Sequence, residues 1–112
     1  MTEITDEYMN NMLVKTRPYS IIILKDGPNR KSDNAQAVVW EHGRRNFKLR
    51  KEGLLSIVCP VPGGEGVSGI GIFKTSVEET KKIMDEDPAV KAGVFVYETY
   101  SCLSFPGDCL PV

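Results

Sequence analysis

This sequence contains one imidazole, at His42, so any proton transfer by a side chain that titrates near neutrality has a single candidate. Its neighbours supply no nucleophile. Cys59, Cys102 and Cys109 form an odd set without metal-type spacing, and no second histidine is present to activate a thiol. Reduced thiols are expected, with no disulfide framework, no metal and no cofactor; one histidine cannot build the common zinc, iron or copper sites. The loop Pro62-Gly63-Gly64-Glu65-Gly66 has the glycines of a phosphate cradle but lacks the lysine and helix that such loops use. What remains is general acid–base chemistry at His42, which needs a carboxylate to orient the ring. Asp87 is a candidate, although an aspartate before Pro88 is equally suited to capping a turn.

The elements that must position these residues follow from apolar spacing and breakers. Ile4, Tyr8, Met9, Met12 and Leu13 suit a short amphipathic helix, an N-terminal arm over residues 1–18 closed by Pro18. Tyr19 to Lys25 is rich in β-branched residues and is stopped by Asp26-Gly27-Pro28, giving a first strand. Ser32 or Asp33 is placed to cap a helix over Asn34–Glu52 that ends at Gly53. Along it Ala35, Val38, Val39, His42, Leu49 and, less centrally, Phe47 form an inward stripe, while Arg44, Arg45, Lys48, Arg50 and Lys51 read as a solvated face. Gly43 mid-helix costs about 1 kcal/mol against alanine, so a bend or a close approach is expected there. Trp40 and Tyr19 read as core aromatics.

Leu54 to Cys59 is a second strand halted by Pro60, and Ser68 to Thr75 a third that pairs with it as a hairpin. Ser76 with Glu79 is a capping box that starts a short helix through Met84, ended before Pro88. Val90 to Tyr100, strongest over Val94–Glu98, is a fourth strand, and Ser-Phe-Pro-Gly-Asp opens a tail over residues 105–112. The order β-α-β-β-α-β over residues 19–104 predicts an α+β, ferredoxin-like plait whose antiparallel sheet carries both helices on one side. The bare sheet face then wants a second sheet, most simply a twin subunit related by a two-fold axis. In this plait the first helix and the fourth strand start at the same end, which brings Asp87 toward His42. A helix beginning at Asp33 nevertheless puts His42 ~14 Å along the axis, deep for such a partner unless the helix bends or starts later.

With 14 basic and 15 acidic side chains the formal charge is −1, so no long-range field would gather nucleic acid or anionic lipid. The longest apolar runs, such as Ile21 to Leu24, fall far short of the ~20 residues needed to span a bilayer, and Met1 to Met12 is acidic where an export signal is basic. A cytoplasmic homodimer that binds a small molecule, and neither nucleic acid nor membrane, is the expectation.

From His42 to Pro106 the chain resembles the YCII-related family. Three stretches carry the likeness: His42 followed by the helix remainder, Gly53 and a strand; Gly69 to Thr75 running into Ser76-Val77-Glu78-Glu79; and Asp85-Glu86-Asp87-Pro88-Ala89-Val90-Lys91-Ala92-Gly93-Val94. Cys59 stands before Pro60 where many members have glycine. The resemblance implies a dimeric α+β barrel with a site built around a histidine and an aspartate, here His42 and Asp87. It implies eliminations, isomerisations or oxidations of small cyclic molecules in the wider superfamily. Two functions follow: a lyase or isomerase using a His42–Asp87 acid/base pair in a cleft between helix and sheet, or a non-catalytic dimeric ligand-binding or accessory protein. In the second case His42 is buried for packing and Asp87 is a cap.

Overall fold

The computed structural model describes residues 2–112. In chain order the elements are α1 (Asp6–Leu13), β1 (Arg17–Asp26), α2 (Ala35–Lys51), β2 (Leu55–Pro60), β3 (Val67–Phe73), α3 (Val77–Asp85), α4 (Pro88–Lys91) and β4 (Phe95–Ser104). The four strands form one antiparallel sheet in the order β2-β3-β1-β4. Two β-α-β units are thereby interleaved, which is the ferredoxin-like plait. None of the described helices is long and apolar enough to cross a membrane.

Strand alternation sorts the sheet into two faces. Ser20, Ile22 and Leu24 of β1 are buried and register with Phe73, Gly71 and Gly69 of β3. This inner face joins Leu55, Ala35 and Leu49 of α2, Met84 of α3 and Ala89 of α4 in a single core. Both long helices therefore cover the same side. The intervening residues Ile21, Ile23, Ile70, Ile72, Val96 and Tyr100 face the other way and are half-buried or exposed.

Several boundaries depart from the sequence reading. β1 begins at Arg17 and includes Pro18, which a strand tolerates here because pairing to β3 starts only at Ser20, leaving no ladder bond for the missing N–H. α2 begins at Ala35, not beside a Ser32 or Asp33 cap: the Asn34 side chain makes no capping bond, and the Ser32 hydroxyl donates to Asn34 Oδ1. The helix runs on through Gly43, where an added Cβ would meet nothing within 4 Å, so no close approach explains that glycine. The largest departure concerns Val90 to Val94. Pro88 to Lys91 form the extra helical turn α4, and β4 starts at Phe95 and continues to Ser104. A proline at the first helical position suits a helix start as well as a break, and the side chain of Asp87 supplies the cap.

α4 is held against the end of β1. The amides of Gly27 and Asn29 donate to the carbonyls of Val94 and Gly93, and the Asn29 side chain donates to the Ala92 carbonyl. The approach requires small residues: a side chain on Gly27 would run into the Gly93 carbonyl oxygen, and Gly93 itself has φ +71°. This clamp sets where Asp87 sits.

Candidate active site

Asp87 is 1% exposed and both of its carboxylate oxygens are engaged. Oδ2 accepts from the amides of Ala89 at 2.9 Å and Val90 at 3.3 Å, the cap of α4. Oδ1 lies 2.8 Å from Nδ1 of His42. Burial pushes the carboxyl upward, but the hydrogen bond and charge of His42 together with the two amides outweigh it, and the group is held below the usual aspartate value. It is therefore an ionised acceptor, and Nδ1 of His42 must carry the proton between them.

The partners meet because each moves toward the other relative to the sequence reading. α2 starts two residues later than Asp33, which shortens the axial offset of His42 to about 10 Å at 1.5 Å per residue. The turn α4 then carries Asp87 across onto the middle of α2. Edge-to-face contact with Phe95, with ring centroids 5.2 Å apart and planes at 67°, fixes the imidazole from the sheet side. The Arg30 guanidinium lies 5.5 Å from the centre of the same Phe95 ring.

With Nδ1 protonated, the lone pair of the neutral ring resides on Nε2. Nε2 lies 3.2 Å from Nδ2 of Asn46, one helical turn along α2, whose amide donates to it. Arg45, three residues after His42, places Nη1 3.7 Å from Asp87 Oδ1 with its side chain only 24% exposed. That is too long for a hydrogen bond but close enough to favour the carboxylate charge.

The cavity beside this group occupies about 270 Å³ between α2 and the inner face of β1, β2 and β3. Its existence traces to β3, which presents Gly69 and Gly71 inward where large side chains would close the space. An added Cβ on Gly71 would stand 3.2 Å from Leu55 Cδ1. The walls are otherwise Ile22, Leu24, Leu55, Phe73, Met84 and Phe95, with Gly43 and Phe47 on the helix side. His42 and Asn46 line the cavity, whereas Asp87 and Arg45 do not. The pair is thus split: Asp87 is sealed behind His42, of the two only the imidazole lines the open space, and its Nε2 is met there by the Asn46 amide.

No family model matches the chain, and no curated protein matches it. Solved structures do. One is 5-chloro-2-hydroxyhydroquinone dehydrochlorinase (TftG) from Burkholderia phenoliruptrix AC1100 in complex with 2,5-dihydroxybenzoquinone, matched with a TM-score of 0.51 at 21% identity over 74% of this chain and 89% of that one. The likeness is one of fold. It places this chain among α+β proteins with the same sheet and helix arrangement, and the chemistry has to be argued from the residues described above.

The structure brings together His42 and Asp87, the two residues singled out in the sequence, and adds Arg45 and Asn46, which the sequence does not mark as site residues. Arg45 was assigned to a solvated face, yet at three residues from His42 it lies beside Asp87. Asn46 gave no signal of its own, although position i+4 from the only histidine was one at which to look. In the opposite direction, Trp40 and Phe47 are each 70% exposed, so neither is a core residue, and Tyr19 is half-buried on the bare face of the sheet. Gln36, Val39, Trp40, Gly43, Arg44 and Phe47 instead border a shallow groove along α2. Cys59 borders the main cavity, and Cys102 and Cys109 lie away from it.

Proposed function

We propose that this chain is a YCII-related enzyme, a small-molecule lyase or isomerase in which His42 moves a proton and Asp87 orients it. The observation that carries the reading is the split arrangement of the pair: an ionised, buried carboxylate holds Nδ1–H, and the basic nitrogen sits at the wall of an apolar cavity of ring size. A substrate C–H or O–H proton would pass to Nε2, and the electron pair left behind would move into an adjacent carbonyl or expel a leaving group. Return of the proton to a different atom gives an isomerisation; loss of the leaving group gives an elimination. Asp87 would stabilise the imidazolium formed in between.

The fold neighbour that is a dehydrochlorinase supports placing eliminations first among reactions to try. The test is a screen of lactones, quinols and chlorinated hydroxyhydroquinones, followed by product absorbance and chloride release, with His42→Gln as the comparison. Turnover that is lost in a folded His42→Gln protein supports the enzyme. Ligand affinity that persists in His42→Gln, with no turnover by either protein, favours the non-catalytic binding module instead.

The active unit in this reading is a homodimer. Ile21, Ile23, Ile70, Ile72, Val96 and Tyr100 form an apolar patch on the bare sheet face beside the Lys25–Glu98 ion pair, and a second copy presenting the same strands would cover it.

A further inference from the structure

The basic nitrogen of His42 is covered in this structure, and the group that covers it is informative. Asn46 Nδ2 donates to Nε2 at 3.2 Å, so a substrate proton reaches that lone pair only after the Asn46 amide has moved aside. Once Nε2 takes a proton it becomes a donor, and it can no longer accept from Asn46. The Asn46 N–H is then free to donate to another acceptor at the cavity wall. Among the side chains that line the cavity only His42, Asn46 and Ser68 carry nitrogen or oxygen, and the Ser68 hydroxyl already donates to Asp26 at 2.6 Å. No cationic side chain lines it.

We propose that Asn46 is the electrophilic partner of His42 and that the ligand is a ring-sized enol, phenol or conjugated carbonyl compound, its oxygen adjacent to the hydrogen that Nε2 removes. This rests on the reading of His42 as the base. On binding, the ligand's acidic hydrogen displaces Asn46 from Nε2. As the proton transfers, the bonding pair moves onto the ligand oxygen, and Asn46 Nδ2–H, released from the ring, donates to that oxygen. Charge is conserved: the neutral ligand becomes an anion and the neutral imidazole an imidazolium held by Asp87. A single neutral amide donor gives modest stabilisation, which suffices for an oxyanion whose charge is already spread over a conjugated ring and not for the localised one of a simple aldehyde or ester.

The probe is p-nitrophenol, whose yellow phenolate reports ionisation of the bound molecule directly. Wild-type protein titrated with it across pH is expected to bind it in the cavity and to ionise it at a lower pH than free solution does. Asn46→Ala should still bind but weaken the phenolate form by roughly 10- to 100-fold, raising the pH of ionisation by about one to two units, as loss of a hydrogen bond to a charged oxygen does. Thermal unfolding should be little changed. Asn46→Gln, which keeps the amide on a longer stem, should recover part of the effect. If wild type and Asn46→Ala ionise the bound phenol at the same pH while His42→Gln does not ionise it, the proposal for Asn46 fails and the base reading of His42 stands. If His42→Gln ionises it as wild type does, the base reading fails. If millimolar p-nitrophenol does not bind wild-type protein, the ligand class is wrong and the proposal falls with it.

Discussion

Nδ1 of His42 stands 2.8 Å from Oδ1 of Asp87, and the other oxygen of the same carboxylate caps α4 through the amides of Ala89 and Val90. Capping and orienting are therefore not competing explanations of Asp87. The turn that fixes the carboxylate is what allows it to fix the imidazole.

Substitution can nevertheless separate the two roles. Asp87→Asn retains an oxygen for the cap but turns an amide N–H toward Nδ1, forcing the proton to Nε2 and removing the base from the cavity wall. Turnover should fall on the order of 10⁴-fold with the fold intact, as exchange of the orienting aspartate does in hydrolase triads. Asp87→Ala loses the cap as well and leaves a buried imidazole N–H unpaired, so it should also destabilise the protein by about 2–4 kcal/mol in urea unfolding.

Acid stability carries the signature of the same carboxylate. Asp87 is held below the ordinary value of 3.8, so the unfolded chain binds its proton more readily than the folded one. The stabilisation is complete above the unfolded value and is lost as pH falls through the lower, folded one. Urea midpoints measured from pH 5 downward should drop more steeply for wild type than for Asp87→Asn; parallel curves would show that the pair contributes nothing to the acid transition.

Cavity size is set by glycine on β3. Gly71→Val places a β-branched side chain, which a strand accommodates, into the floor beneath His42. Its Cβ would lie 3.2 Å from Leu55 Cδ1, so the mobile end of Leu55 must yield. Binding of any cavity ligand should weaken at least tenfold, with overpacking costing no more than about 1–3 kcal/mol by thermal unfolding. Unchanged affinity would move the binding site elsewhere.

The bare sheet face predicts association. Ile72 lies opposite Ile21 on that face, and Ile72→Glu would put a charge at its centre. Sedimentation should find wild type as a dimer at micromolar concentration and Ile72→Glu as a folded monomer; a wild-type monomer would remove the dimer from the account.

Much of this architecture was legible in the residues. Ile21 to Leu24, the Ser76–Glu79 box and the Ala35–His42–Leu49 stripe each state a local preference that packing then satisfies. The turn α4 was not legible, because the four residues Pro88–Lys91 are too few to carry periodicity and an Asp-Pro pair signals a break as readily as a start. Arg45 and Asn46 were hidden for another reason. Arg45 looks solvated until Asp87, brought in by a turn with no counterpart in the apolar pattern, is packed beside it, and Asn46 until its contact with His42 is seen. Trp40 and Phe47 show the converse, apolar residues left outside because α2 turns only one face to the sheet.

The central claim is that His42 is held with its proton on Nδ1 and its lone pair on Nε2 at the cavity wall. Because it is the only histidine, long-range proton–nitrogen NMR correlation of the uniformly labelled protein reads its tautomer without overlap. The neutral ring is predicted to show a protonated Nδ1 and an unprotonated Nε2. A proton found on Nε2 would contradict the account.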